Sequence, residues 1–130
     1  MRTTRRIAAI AATVLTLTVS APALAVTGAS DPVPVKPQGG TLDPHKVRWE
    51  SAKPIRHGRY LRITWTSGIA PCWVLDRVRV KETSRKVTVT LYEGHTKDAG
   101  MCVLIAVRKT TTVRLKTPLG HRHVVDGARR

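Results

Sequence analysis

Residues 60–66 read Tyr-Leu-Arg-Ile-Thr-Trp-Thr, and this stretch decides the fold because its polar and apolar side chains alternate one by one. Residues two apart in a strand point to the same face, so the pattern predicts a strand with one buried and one exposed face. The same period of two recurs over residues 77–81, within a predicted strand over residues 74–83, and over residues 87–92. No stretch has the spacing of an amphipathic helix of three turns, which favours an all-β fold.

Four further segments complete a predicted set of about seven short strands. Residues 47–49 predict a short first strand, and residues 113–115 and 124–125 predict two late ones. Residues 102–107, Cys-Val-Leu-Ile-Ala-Val, are apolar at every position, which predicts a central strand buried on both faces. The pattern favours an antiparallel β-sandwich, immunoglobulin-like in the broad sense, with a small open β-barrel as the alternative architecture.

The first 25 residues have the three parts of a secretory signal peptide. Arg2, Arg5 and Arg6 precede an uncharged stretch over residues 7–19, and Ala23-Leu24-Ala25 supplies the small residues that a signal peptidase needs. The uncharged stretch is too short to cross a bilayer core of about 30 Å, which argues against a membrane anchor. No later segment is long or apolar enough, so we expect no transmembrane segment in the mature chain. The sequence leaves general secretion and the twin-arginine route both open. It predicts a secreted, extracellular protein.

Composition divides the remainder into a linker and one domain. Residues 26–44 are rich in Pro and Gly and predict a flexible linker, with docking of residues 33–35 along a sheet edge as the alternative. A single β-domain is predicted over residues 45–130. Cys72 and Cys102 are its only cysteines, and an even number in an exported chain predicts one disulfide.

Two blocks of sequence carry a resemblance to a known family. Residues 65–78 read Trp-Thr-Ser-Gly-Ile-Ala-Pro-Cys-Trp-Val-Leu-Asp-Arg-Val, and residues 87–94 read Val-Thr-Val-Thr-Leu-Tyr-Glu-Gly. Together with Cys102 and the ending over residues 118–128, they resemble small exported actinobacterial proteins with one disulfide. The resemblance covers most of residues 60–128. It implies export and a one-disulfide domain, and it transfers no active site, since that group has no assigned function.

Positive charge dominates the chain. It carries 23 Lys and Arg against 8 Asp and Glu, a net charge of +15, which falls to +12 when the predicted signal peptide is removed. Cations interleaved with aromatic residues suit anionic polymers. The candidate polyanion-binding residues are Arg77, Arg79, Lys81, Arg62, Arg59 and Arg56.

The predicted compartment decides which polyanion is meant. Outside a Gram-positive cell the abundant anions are teichoic-type wall polymers and the membrane surface, so no nucleic-acid partner is expected in vivo. We therefore expect association with an anionic cell-wall polymer. The alternative that stays open is a solvated basic face that only keeps the protein soluble.

A second functional hypothesis is a protein-binding module, such as an inhibitor of a secreted hydrolase. An inhibitor presents a rigid exposed loop, and the stretch Ser67–Trp73 is the candidate because Pro71 and the adjoining cysteine brace it. Its candidate contact residues are Ser67, Pro71 and Trp73. The partner in this case is an unidentified secreted protein.

Catalytic and metal-binding patterns are weak. The serines lie outside a Gly-x-Ser-x-Gly motif, and the carboxylates form no obvious pair, so the chain is predicted not to be an enzyme and to need no cofactor. Asp76 is expected to form an ion pair with a neighbouring Arg. His121 and His123 are a weak metal candidate, because two imidazoles on one strand face can bind Cu²⁺ or Zn²⁺ if Asp126 or His95 adds a third ligand.

Overall fold

The computed structural model describes residues 28–129 together with residues 14, 17 and 19–23, so the predicted signal peptide over residues 1–25 lies largely outside the described part. The chain forms eight strands: β1 Val33–Pro34, β2 Leu42–Val47, β3 Ser51–Ile55, β4 Tyr60–Ser67, β5 Val74–Glu82, β6 Lys86–His95, β7 Val107–Arg114 and β8 His123–Asp126. Within the described residues, no helix has the length and apolar character needed to cross a bilayer.

The strands build two packed sheets, which confirms the predicted all-β sandwich. One sheet has the order β1-β7-β4-β3, and the other has the order β2-β6-β5 with β8 also beside β6. The sheets do not close into the alternative barrel. Four of the strand pairings are antiparallel, as predicted for the sandwich, and two, β1 with β7 and β6 with β8, are parallel. β8 returns to the sheet of β6 after the chain has passed through β7 of the other sheet.

The core lies between the inward faces of the two sheets. Alternation explains it, since every second residue of β4 and of β6 is fully buried, whereas most of their neighbours remain accessible. Burial of each large apolar side chain contributes about 1.5–3 kcal/mol to stability. The core residues are Leu61, Ile63, Trp65, Leu75, Val87, Val89, Leu91, Val113 and Leu115.

Three strands at the sheet edges each contain a proline. Pro34 lies in β1, Pro44 in β2 and Pro54 in β3, and each of these strands pairs with one neighbour only. Proline has no N–H to donate to a ladder, so edge positions suit it. The same prolines interrupt the alternating pattern by which strands are recognised in a sequence. For this reason the sequence predicts no strand over residues 51–55.

The predicted linker, residues 26–44, contributes β1 and the start of β2. Val33 lies opposite Lys109 of β7, and the Val35 N–H donates to the carbonyl oxygen of Thr110 at 2.9 Å. Docking along the sheet edge, the alternative to a linker, is therefore what the chain does over residues 33–35. The folded domain begins before the predicted boundary at residue 45, because backbone pairing with β7 compensates for the low apolar content.

Residues 102–106 do not form the predicted central strand. β7 begins only at Val107, which lies opposite Ser67, the last residue of β4. The preceding residues extend beyond the end of the sheet, where no described strand is available to pair with them, and all of them are exposed. Apolar composition alone does not make a strand, because the backbone also needs a partner for its N–H and C=O groups.

The predicted disulfide between Cys72 and Cys102 is confirmed, with a Cα–Cα distance of 5.7 Å. It joins the turn before β5 to the segment before β7, and no free cysteine remains among the described residues. A disulfide of this kind is typical of an oxidising, extracellular environment.

Candidate polyanion-binding groove

Arg77, Arg79 and Lys81 lie in a row on the outer side of β5, as their spacing predicts. The intervening Val78 and Val80 pack against the core instead. In the antiparallel ladder the three cations stand opposite residues of β6 on the same face, namely Tyr92, Thr90 and Thr88. The sheet thus places a basic row next to a row of hydroxyl groups.

The aromatic ring of Tyr92 makes cation–π contacts with the two arginines of this row. The guanidinium carbon of Arg77 lies 4.1 Å from the centroid of the Tyr92 ring, and that of Arg79 lies 5.9 Å away. A guanidinium over an aromatic face is attracted by the ring quadrupole, which limits the freedom of both side chains. Lys46 of β2 lies opposite Tyr92 on its other side, so it extends the basic surface across β6.

A groove of about 480 Å³ runs across this face. Gly127, which follows β8, forms part of it: its N–H donates to the carbonyl oxygen of Val89 at 2.9 Å, and a Cβ there would overlap the Thr90 side chain. The described lining contains three cations and no carboxylate. It consists of Lys46, Arg79, Val80, Lys81, Thr88, Thr90, Tyr92 and Gly127.

Asp76 is an acidic residue beside the groove, and both of its carboxylate oxygens already accept hydrogen bonds. Its Oδ2 accepts from Arg77 Nη1 at 2.7 Å, as the predicted ion pair requires, and its Oδ1 accepts from the Thr41 hydroxyl at 2.7 Å and the Thr41 amide at 3.1 Å. The hydrogen bonds from Thr41, followed by that from Arg77, hold the pKa of Asp76 below its ordinary value. Arg77 is thereby partly neutralised, whereas Arg79 and Lys81 form no ion pair with any described residue.

Arg56, Arg59 and Arg62 belong to the other sheet. Arg62 is exposed on β4, and its ladder partners are Lys53 and Thr112. Arg56 lies in the turn before β4, with its guanidinium carbon 5.0 Å from the Tyr60 ring centroid, and Arg59 follows in the same turn. The outer sides of the two sheets face away from each other, so the structure separates the six candidate cations into two groups of three.

The candidate partner loop, Ser67–Trp73, is anchored at both ends. Ser67 Oγ donates to Glu93 Oε1 at 2.8 Å, and the carbonyl oxygen of Trp73 accepts from Lys109 Nζ at 2.9 Å. Trp73 itself is half-buried, and its indole meets the His45 ring edge to face at 6.0 Å. Of the three predicted contact residues, only Pro71 is exposed.

A buried polar cluster supports this loop, and sequence reasoning missed it. Glu93 Oε1 accepts from Lys109 Nζ at 3.1 Å and from Trp65 Nε1 at 3.0 Å, and both ends of the ion pair are buried. The signal was present, because Glu93 continues the inward phase of β6 and Lys109 the inward phase of β7. Glu93 is fully buried, so the cluster fastens β6 to β7 and to the loop and does not meet solutes.

The histidine pair does not have the geometry predicted for a metal site. β8 begins at His123, which leaves His121 in the preceding turn, so the two imidazoles do not share a strand face. Arg122 between them donates to Glu82 Oε1 at 3.1 Å and to the Thr117 carbonyl oxygen at 2.9 Å, which fixes the turn. No group of three His, Cys, Asp or Glu side chains in the described chain is placed to hold a metal ion.

A scan against protein-family models, a search of curated proteins and a search of solved structures each find nothing that matches the chain. The resemblance to small exported actinobacterial proteins therefore stays a prediction. The groove and its charges are consequently the features on which a function can be argued.

Proposed function

We propose that the protein is secreted and binds an anionic polymer of the cell envelope in the groove between β2, β6 and β5. The observation that carries this proposal is the lining of the groove, where Lys46, Arg79 and Lys81 come together without a carboxylate. The Thr hydroxyls and the Tyr92 ring between them suit the sugar or polyol units of such a polymer. The disulfide, which is typical of exported domains, supports the compartment.

The spacing of the cations favours a repeating ligand. Alternate residues of a strand are about 6.4–6.8 Å apart, so Arg77, Arg79 and Lys81 present charges at regular intervals along β5. A guanidinium donates two parallel N–H groups to a phosphate, which makes phosphodiester polymers better ligands than polymers of isolated carboxylates. Teichoic-type wall polymers have this chemistry.

Two triple variants of equal charge test the site. Arg77→Gln/Arg79→Gln/Lys81→Gln removes three cations beside the groove, and the control Arg56→Gln/Arg59→Gln/Arg62→Gln removes three from the other sheet. With purified teichoic-type polymer as the probe in isothermal calorimetry, we expect the first variant to weaken binding at least about ten-fold and the control less than about three-fold. Equal losses in both variants would mean that only net charge matters, and absence of binding by the unaltered protein would remove the function.

Salt dependence provides a second test. Each phosphate contact releases condensed counterions, so the logarithm of the affinity should fall linearly with the logarithm of the NaCl concentration, by about 0.7 per contact for a single-stranded polyanion. The groove variant should have a shallower slope than the protein with all its cations. Association with isolated cell wall that persists in molar NaCl contradicts an electrostatic site.

The loop Ser67–Trp73 carries the second candidate function, inhibition of a secreted hydrolase. The observation that favours it is the rigid mounting of the loop by Lys109 and by the disulfide, with Ala70 and Pro71 exposed at its tip. Ala70→Arg should abolish inhibition of a susceptible exported hydrolase and leave polymer binding unchanged. Inhibition that survives this change excludes the loop as the contact surface.

A further inference from the structure

Residues 102–106, which the sequence predicts as part of a strand, belong instead to an exposed loop over residues 99–106. We call this segment the apolar loop. It reads Ala-Gly-Met-Cys-Val-Leu-Ile-Ala and contains no charged residue. Met101 is 97% exposed and Leu104 95%, while Val103 and Ile105 are 56% and 49% exposed. Single exposed apolar side chains are ordinary on protein surfaces, but four within five residues mark a contact surface.

The fold holds this loop away from the core. Cys102 is tied to Cys72, and β7 starts only at Val107, so the intervening residues run along the end of the sandwich. Trp73 occupies the space beneath them, and an open cleft lined by Trp73, Gly68 and residues 103–106 separates the two layers. The apolar loop therefore has no route into the core while the disulfide and the Trp73 loop keep their places.

The positive charge of the protein indicates which kind of partner binds the apolar loop. The whole chain carries a net charge of +15, so a second copy would bring two strongly basic molecules together, whereas an anionic surface attracts them. Near the loop, Arg108 lies two residues after it, with its Nε 3.6 Å from Glu50 Oε2, and Arg77 is three residues, about 10 Å, from the β5 end that adjoins the loop. That distance is comparable to the Debye length of about 8–10 Å, so Arg77, although Asp76 partly neutralises it, lies within electrostatic reach of an anionic surface touched by the loop.

The backbone limits how deeply the loop enters such a surface. Ile105 N–H donates to the Val103 carbonyl oxygen at 3.1 Å, but no strand ladder satisfies this segment. Unpaired N–H and C=O groups do not enter the hydrocarbon core of a bilayer, whereas apolar side chains readily occupy the boundary between headgroups and acyl chains. The geometry thus allows shallow insertion of side chains and excludes a span.

We propose that the apolar loop inserts shallowly into an anionic lipid bilayer, with Met101, Leu104 and Ile105 as the inserting side chains and Arg77 and Arg108 facing the headgroups. This site goes beyond the polymer groove. Arg79 and Lys81 lie about 17 Å and 23 Å along β5 from the same end, so they remain free for a polymer when the loop touches a membrane.

Vesicle sedimentation tests the proposal. The probes are vesicles of phosphatidylcholine alone and of phosphatidylcholine with roughly one-third phosphatidylglycerol. The unaltered protein should bind the anionic vesicles, and Leu104→Ser/Ile105→Ser should bind them at least about ten-fold more weakly. The same variant should bind teichoic-type polymer normally, which separates failure of this proposal from failure of the groove. Equal vesicle binding by the two proteins, or equal binding to both vesicle types, overturns the proposal.

Tryptophan reporters, each added to the native Trp49, Trp65 and Trp73, test the depth and the orientation by difference from the unaltered protein. The emission added by Leu104→Trp should shift to shorter wavelength on anionic vesicles and be quenched by brominated acyl chains. The matched reporter Ser84→Trp lies in the exposed turn between β5 and β6, at the opposite end of the sandwich, and should do neither. Equal quenching of both reporters excludes insertion by the loop. A dimer in analytical ultracentrifugation that dissociates on Leu104→Ser would identify a second copy as the occupant and overturn the lipid assignment.

Discussion

The two loops joined by the Cys72–Cys102 disulfide contrast in what the fold does with their apolar residues. Ser67–Trp73 is the more polar of the two, yet its tryptophan is half-buried and its ends are hydrogen-bonded to Glu93 and Lys109. The apolar loop, residues 99–106, has no charged side chain, and Met101 and Leu104 are almost fully exposed.

The difference teaches that polar anchors determine which loop is held against the sandwich at this end. The pair Lys109–Glu93 fixes the first loop from inside, and the backbone of the second loop begins beyond the last ladder position, Ser67 opposite Val107. Hydrophobicity is non-directional, whereas a hydrogen bond specifies a position. The more hydrophobic loop is therefore the one left to contact something outside the molecule.

The largest expected effect comes from removing the anchor. Lys109→Met leaves the Glu93 carboxylate buried without its cation and deprives the Trp73 carbonyl of its donor, which should cost about 3–5 kcal/mol in the free energy of unfolding. Urea denaturation followed by fluorescence measures it. Lys97→Met, on an exposed lysine two residues before the second loop, is the matched control and should cost less than about 0.5 kcal/mol. A cost below about 1 kcal/mol for Lys109→Met contradicts the anchoring role.

Removing the disulfide should rank next. Cys72→Ala/Cys102→Ala releases a closed loop with a sequence separation of 30, which on the chain-entropy model lowers the free energy of unfolding by about 3–4 kcal/mol. Limited proteolysis of the variant sharpens the comparison. Cleavage should begin within residues 99–106, because the first loop keeps its anchor, and cleavage first within residues 67–73 would reverse the ranking of the two loops.

A methyl group added to each loop should have opposite consequences. A Cβ at Gly68 would overlap the Trp73 indole, so Gly68→Ala should destabilise by about 1–3 kcal/mol. A Cβ at Gly100 meets nothing within 4 Å, so Gly100→Ala should change stability by less than about 0.5 kcal/mol. Thermal unfolding of the two variants makes the comparison, and similar shifts in Tm would show that the first loop is not packed.

Polar substitution in the apolar loop should leave stability almost unchanged. Leu104 is 95% exposed, so Leu104→Ser should alter the free energy of unfolding by no more than about 0.5 kcal/mol. Binding of an environment-sensitive dye that fluoresces on apolar surfaces should fall at the same time. Marked destabilisation would mean that Leu104 packs inside the molecule, contrary to the contrast between the two loops.

The smallest expected effect is a pH dependence of stability that arises from His95, which lies shortly before the apolar loop in the sequence. Hydrogen bonding to the Thr96 carbonyl oxygen, and then to the Asp43 carboxylate, raises the pKa of His95 above its ordinary value. The stabilisation is fully present below about pH 6.5, the unfolded value, and is lost as pH rises through the higher folded pKa. Titration by nuclear magnetic resonance should show a lower pKa for His95 in Asp43→Asn, and an unchanged pKa would exclude the contact.

Much of the fold was predictable from alternation. β4 and β6 have a strict period of two over their buried residues, and the structure places both in the centre of their sheets. The edge strands β1, β2 and β3 were hidden because each contains a proline and few buried side chains. β1 and β2 are stabilised by pairing with strands distant in sequence, which no local pattern records, and β3 is stabilised by its hairpin with β4.

The candidate site was predictable only in part. The row Arg77, Arg79 and Lys81 follows from the period of β5, and the structure keeps it on one face. Lys46 and Gly127, which complete the groove, come from β2 and from the residues after β8, and only the sheet order brings them to β6. The sheet order also excludes Arg62 from this row, because β4 belongs to the other sheet.

The sequence by itself determined the all-β class, the alternation that fills the core and the single pair of cysteines, because each depends on residue type and local spacing. Only the tertiary structure decided that residues 102–106 are exposed, since that depends on where β4 ends. It also decided that Glu93 and Lys109 meet inside and that three cations share a groove. These outcomes rest on contacts between distant parts of the chain, whose energies appear only when the two sheets pack.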